Sequence, residues 1–188
     1  MPFELLKSEI IYPGRAFNIR RDTLRLPDGH ETRFDIVEHI GSVIILPLDA
    51  NGHLLFIRQY RHAVGLDLLE LPAGTLNEGE APEACARREV REETGMAAGK
   101  LEVLGGFYLA PGYSTEYMYV YLATDLFYDP LEADADEFLS IESVPLAEAQ
   151  AMCERGEIQD AKSLAAFLLA REPLEKQKGS LFFGDKSQ

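Results

Sequence analysis

Glu89, Glu92 and Glu93 stand three and four residues apart in the stretch Gly74–Met96, GTLNEGEAPEACARREVREETGM. On a helix that spacing puts the carboxylates on one face. Like charges so placed destabilise a bare helix by about a few tenths of a kcal/mol per pair. Two arrangements relieve them. Arg87, Arg88 and Arg91 can form ion pairs on a solvated helix. Alternatively, a hard divalent cation can sit among the carboxylates, with phosphate oxygens and water completing its shell. The second arrangement would suit a phosphate-bearing ligand, whose charge such a cation offsets.

The surrounding elements must hold that helix. Pro82 sits where a helix begins at little cost, Glu83–Thr94 are strong helix formers, and Gly95 is placed as a C-terminal cap. Leu71-Pro72-Ala73-Gly74 reads as a loop leading in. Upstream, the first forty residues read as strands, with 17–26 and 32–40 paired as a hairpin around Pro27-Asp28-Gly29. Residues 42–49 and 53–60 form a second pair, the former apolar enough to be buried on both faces. Downstream, 101–109 and 116–123 read as strands, 128–137 as an acidic loop and 141–144 as a short strand. One helix starts at Pro145 and stops near Gly156. A last helix, capped by Asp160, runs through Arg171 with Leu164, Phe167 and Leu168 as its stripe. The order predicts an α+β or α/β domain, a mixed sheet between helices, preceded by a small antiparallel β annex. The predicted divisions are 1–40 for the annex, 41–172 for the main domain and 173–188 for a loosely ordered tail.

The helical stretch resembles the box of the Nudix hydrolase superfamily: Gly74, Glu80, Arg88, Glu89, Val90, Glu92, Glu93, Gly95 and Met96 fill its places at its spacing. Average residue usage would produce that match in roughly 10⁻⁷ of chains of this size. The resemblance spans about residues 40–172 and decides between the two arrangements above. It implies a Nudix fold that binds Mg²⁺, or Mn²⁺ in its place, and hydrolyses a nucleoside diphosphate linked to a second group. It implies Glu89 and Glu93 as principal metal ligands, Glu92 close by, and the Ala73 carbonyl as a further ligand. Arg88 is assigned to the catalytic set with Glu92, as a group that orients a glutamate. Glu80 braces the loop, Gly74 permits close approach of the backbone, and Gly95 ends the helix.

The flanks resemble the ADP-ribose pyrophosphatase branch. Pro111 lies fifteen places past Met96, within Ala110-Pro111-Gly112-Tyr113-Ser114-Thr115-Glu116, and Arg58-Gln59-Tyr60-Arg61 and Glu70-Leu71-Pro72-Ala73-Gly74 agree with it. The branch implies a homodimer in which the N-terminal strands complete the neighbour's substrate site. The substrate set is then Arg33, Arg61, Pro111, Gly112 and Glu116. Arg61 is expected to grip the diphosphate as a bidentate donor or to snorkel from a strand end. Glu116 approaches metal or terminal ribose. Phe17 or Tyr113 stacks on adenine or packs in the core. On the loop Leu131–Phe138, Glu137 is the assigned base or accessory ligand, with Asp136 and Asp134 as substitutes, although Ala135 interrupts the acidic run. ADP-ribose is the expected substrate; another nucleoside diphosphate sugar such as GDP-mannose, or a non-catalytic sensor role, is the alternative.

Composition agrees. Net charge is −14, which disfavours polyanionic partners, so neither nucleic acid nor an anionic membrane is expected. Cations between an acidic protein and an acidic substrate would resolve the repulsion. Cys85 and Cys153 imply no disulfide framework and fit a reducing cytoplasm. The start of the chain does not read as a signal peptide, and no apolar run is long enough to span a membrane. The histidines (His30, His39, His53, His62) have no metal-ligand spacing.

Overall fold

The computed structural model describes residues 3–132 and 138–182, with side chains to residue 177. Its elements in order are β1 (Glu4–Pro13), β2 (Asn18–Arg25), β3 (Glu31–Glu38), β4 (Ser42–Pro47), β5 (His53–Arg61), β6 (Leu66–Glu70), β7 (Ala73–Thr75), α1 (Pro82–Thr94), β8 (Met96–Tyr108), β9 (Tyr117–Tyr128), β10 (Leu139–Pro145), α2 (Leu146–Glu154) and α3 (Ala161–Phe182). They divide into two compact units: residues 1–41 with 107–118, and 42–106 with 119–188. The first unit thus takes in the turn between β8 and β9, which a linear division at residue 40 leaves out.

The first unit is an antiparallel sheet of order β1-β2-β3. The β2–β3 hairpin turns where Pro27-Asp28-Gly29 signals it. β1 is an edge strand, exposed along its whole length. Phe3, Leu5, Ile10 and Tyr12 leave much of their apolar surface in solvent. Val37 bridges Ser114, and the Thr115 hydroxyl accepts from the His39 N–H and donates to its carbonyl.

The second unit holds two sheets, β7-β4-β9-β8 and β10-β5-β6. Every residue of β4 is buried. Val43 and Ile45 pack with Cys85, Ala86 and Val90 of α1 and with Tyr121 and Ala123 of β9. α3 also packs on β4, and Phe167 of α3 stacks on Phe56 of β5 at 6.1 Å between ring centroids. A strand covered from both sides needs no polar alternation, which accounts for its continuous apolar run. Each such side chain contributes about 1.5–3 kcal/mol by leaving water.

Residues 42–49 and 53–60, expected to pair, lie in different sheets and share only the Leu48↔Leu54 bridge among the described residues. Two further elements also depart from the sequence-based expectation. Ala73–Thr75, expected in a loop, pairs with β4 in the register Ser42↔Thr75, Val43↔Gly74, Ile44↔Ala73. α3 does not stop at Arg171 but continues through Pro173 to Phe182. Proline removes one helical donor and disfavours helix in the residue before it. Here Ala170 and Leu174 are fully buried on either side of it. The i,i+4 pairs Arg171–Glu175 and Glu172–Lys176 also span it. Packing overrides the local signal, and the expected tail is helical as far as residue 182; residues 183–188 lie outside the described residues. Among the described residues no helix is long and apolar enough to cross a membrane.

Candidate active site

α1 starts at Pro82 without a side-chain cap and ends at Gly95, whose φ of 71° lets its N–H close on the Arg91 carbonyl. An L side chain is strained in that left-handed region, so glycine suits the position. The helix buries Cys85, Ala86 and Val90 against β4 and β9, which turns Glu89 and Glu93 toward the β7 segment. Both carboxylate-bearing residues are buried, Glu89 at 8% exposure and Glu93 at 4%. Glu93 Oε2 accepts the Ala73 N–H at 2.8 Å. A β-carbon at Gly74 would overlap the Glu89 carboxylate. The glycine therefore makes the space into which Glu89 reaches.

Arg88 holds the set together. Its Nε and Nη2 donate to the two oxygens of Glu80 at 3.0 and 2.9 Å. Its Nη1 donates to Glu89 Oε1 at 2.6 Å and Glu92 Oε2 at 2.8 Å. Nη2 also reaches the Thr75 carbonyl at 3.3 Å. One guanidinium thus compensates three carboxylates and raises its own pKa, chiefly through the Glu80 hydrogen bond. Arg88 ion-pairs with Glu80, Glu89 and Glu92 at once. The ion pairs drawn from the sequence are present at Arg88, and they orient partly and fully buried carboxylates rather than decorate a solvated face. Cys85 is fully buried beside this cluster, and burial and the Glu89 charge push its thiol far up, so it is inert.

Glu80 braces the loop before α1. Its carboxylate also accepts the Asn77 N–H at 2.8 Å, and its own N–H bonds the Asn77 carbonyl. The Arg88 hydrogen bonds hold its pKa down at about 2. Its stabilisation is therefore complete above the ordinary glutamate value near ~4.3 and lost as pH falls toward the folded value. Glu80→Gln is expected to flatten the pH dependence of Tm between about pH 4.5 and 2 in cation-free protein. A Tm–pH curve unchanged by the substitution would show that the pair carries no stability.

Glu89, Glu92 and Glu93 offer oxygen only, and the Ala73–Gly74 backbone lies against two of them. Among the described residues no three acidic, histidine or cysteine side chains converge as a ready cage. Cations of the magnesium type need only one or two carboxylates, keeping water and substrate phosphate as other ligands. The residues present fit that requirement: Glu89, Glu93 and the Ala73 carbonyl would hold such a cation, with Glu92 beside them.

The other predicted residues are distributed as follows. Arg61 lies in the second unit, but its fork engages Glu70, with Nε and Nη2 donating at 2.8 and 2.7 Å. In this structure its bidentate partner is a carboxylate of the same chain rather than an open position for a diphosphate. Arg33, Pro111, Gly112 and Glu116 belong to the first unit. Arg33 is exposed on β3 opposite Thr23. Pro111 and Gly112 line a cavity of about 330 Å³ with Leu24, Phe34 and Ile36. The Glu116 N–H bonds the Ser114 hydroxyl. Phe17 and Tyr113 are both exposed, so neither is core. Asp134, Asp136 and Glu137 lie outside the described residues. Just before them, Asp129 is anchored on α1: Arg91 donates to its carbonyl and pairs with its carboxylate at 2.9 Å. That anchor, and the Glu70 centre, were not drawn from the sequence. Glu70 stands in a stretch the branch resemblance singles out, whereas Arg91, expected to ion-pair along its helix, finds its partner 38 positions away.

A carboxylate helix closed on a short strand by a glycine, within a mixed α/β core, defines a Nudix-type catalytic domain. Residues 38–167 match the family model of the NUDIX domain, and the chain belongs to that family. It is 35% identical over 177 residues to the ADP-ribose pyrophosphatase of Bacillus subtilis (strain 168), covering 92% of this chain and 96% of that one. It is 40% identical over 169 residues to the ADP-ribose pyrophosphatase of Mycobacterium tuberculosis (strain ATCC 25618 / H37Rv), covering 88% and 82%. A solved structure described as an ADP compounds hydrolase superposes with a TM-score of 0.83 at 28% identity, over 94% of this chain and 96% of that one.

Proposed function

We propose that this protein hydrolyses the diphosphate of a nucleoside diphosphate sugar, cleaving ADP-ribose with water to AMP and ribose 5-phosphate. The observation that carries the reading is the buried Glu89–Glu93 pair facing the Ala73–Gly74 backbone. The branch to which both relatives belong supports the choice of substrate. Mg²⁺ is the proposed cofactor, with Mn²⁺ as substitute; bound there, it would neutralise diphosphate charge and lower the pKa of a water. The chain's own residues prepare the site. Arg88 orients Glu89 and Glu92, and the Ala73 N–H fixes Glu93. A screen of nucleoside diphosphate sugars with Mg²⁺, resolving the products, tests the reading. AMP and ribose 5-phosphate from ADP-ribose at the highest kcat/KM are expected. Preference for GDP-mannose would replace the substrate, and no hydrolysis of any member would favour a sensor.

Glu137 is the proposed general base. The anchoring of Asp129 on α1 supports this by bringing the chain to the catalytic helix eight residues earlier. General-base help is worth about 10²–10⁴. Glu137→Gln should lower kcat about a hundredfold with little change in KM, and Asp134→Asn much less. If Asp134→Asn is the severe variant, the loop register is shifted.

The working form is proposed to be a cytoplasmic homodimer joined through the first unit. Support comes from the exposed apolar side chains of β1 and from its open edge, a surface that strands on monomers normally protect. Light scattering of the intact chain should give twice 21.0 kDa. Leu5→Glu with Ile10→Glu should halve that mass. A wild-type monomer at micromolar concentration with full activity would overturn the assignment.

A further inference from the structure

Behind the segment that meets the catalytic helix lies a buried ionic centre. Glu70, at 1% exposure, is held by Arg61 and by the Lys162 ammonium. Burial would raise its pKa, but the Arg61 hydrogen bonds and the Lys162 charge outweigh that, so it stays below the ordinary glutamate value. Lys162 also pairs with Asp160 at 2.9 Å. Asp160 caps α3, accepting the Ser163 N–H at 3.0 Å and the Ser163 hydroxyl at 2.6 Å. Ser163 is fully buried, and its oxygen accepts the Leu71 N–H at 2.9 Å. Two residues further on, the Ala73 N–H meets Glu93. Polar contacts therefore run from the start of α3 to the Leu71 N–H, and two residues of backbone carry the link on to Ala73, whose N–H meets a proposed cation ligand on α1.

Buried ion pairs are poor devices for stability, since apolar residues of the same volume often serve as well. They are better suited to fixing a register. Here the charges balance, with Arg61 and Lys162 against Glu70 and Asp160. Outside α3 the centre grips the Leu71 N–H through the Ser163 hydroxyl. On its other side the same segment is fixed by β4, through Ile45 N–H to the Pro72 carbonyl and the Ile44↔Ala73 pair. We propose that Lys162 and Ser163 are positioning residues: through Glu70 and Leu71 they set the placement of Ala73 against Glu93, and so the affinity for the divalent cation. This rests on the reading that Ala73 and Glu93 hold that cation.

The test uses the full chain and Mn²⁺ alone, with binding followed by electron paramagnetic resonance without substrate. Ser163→Ala is expected to weaken Mn²⁺ binding about tenfold or more, the scale on which partners of metal ligands act. It should also speed hydrogen exchange at the Leu71 and Ala73 amides. Lys162→Met, from the other end of the centre, should move both readouts the same way. Leu174→Ala serves as the control, since it removes a fully buried side chain from the same helix. It should lower Tm at least as much and leave Mn²⁺ affinity within about twofold. If Ser163→Ala and Lys162→Met lower Tm while Mn²⁺ affinity and amide exchange match the control, the centre is only structural and the proposal falls. Wild type that binds Mn²⁺, responds to these variants and hydrolyses no nucleoside diphosphate sugar would overturn the functional reading alone. Wild type that hydrolyses them, with variants unchanged in Mn²⁺ affinity, would overturn this proposal alone.

Discussion

Glu93→Gln is expected to lower kcat by at least about three decades, about 4 kcal/mol of barrier, while the protein stays folded. Glutamine keeps the volume of a buried side chain and can still accept the Ala73 N–H through its amide oxygen, so the contact at 2.8 Å survives in the apo protein. What is lost is a negative oxygen for a hard cation, for which a neutral amide is a poor substitute. The substitution also changes the balance around Arg61, whose charge is stabilised in part by Glu93. Steady-state kinetics at saturating Mg²⁺, run beside a thermal melt, separate the effects. Activity within about threefold of wild type would remove Glu93 from the site; a collapse of Tm would make the loss one of folding instead.

Gly74→Ala is expected to cost about two to three decades in kcat with little change in stability. The added methyl would occupy the place of the Glu89 carboxylate. That carboxylate is the far end of a flexible side chain, so it can swing away without disturbing β4 or the core. Swinging away breaks its 2.6 Å contact with Arg88 and removes it from the Ala73–Gly74 backbone. A misplacement of about 1 Å at a reacting centre can cost about a hundredfold. A double-mutant cycle isolates the cause. In a Glu89→Gln background, where the carboxylate is already lost, Gly74→Ala should add almost nothing. Equal losses in both backgrounds would mean that the glycine matters for β7 and not for Glu89.

Much of the catalytic helix is legible in the sequence because its determinants are local. Glu89, Glu92 and Glu93 share a face by helical periodicity alone, and Pro82 and Gly95 mark ends set by backbone chemistry within one turn. The β2–β3 hairpin and the double burial of β4 follow for the same reason, from a turn signal and a run of apolar residues. Arg88 is an intermediate case. Its pairs with Glu89 and Glu92 come from neighbouring positions on the helix, whereas its bidentate hold on Glu80 needs the preceding loop to fold back.

Tertiary structure alone decided the rest. Arg61, read as a diphosphate grip or a snorkelling strand-end arginine, engages Glu70 with its guanidinium, although the β5–β6 register sets Arg61 opposite Leu66 and Glu70 opposite Ile57. Lys162 and Ser163 reach Glu70 and Leu71 across some ninety positions, a distance at which no spacing carries information. Ala73–Thr75 becomes a strand although Pro-Ala-Gly discourages one, since β4 offers its edge. α3 passes Pro173 because Leu174 is buried beyond it. In each case a local preference of about 1–3 kcal/mol meets pairing and burial terms of equal or greater size. The chemistry of the box was written in residues that touch along one helix. Its supports come from segments that only packing brings together.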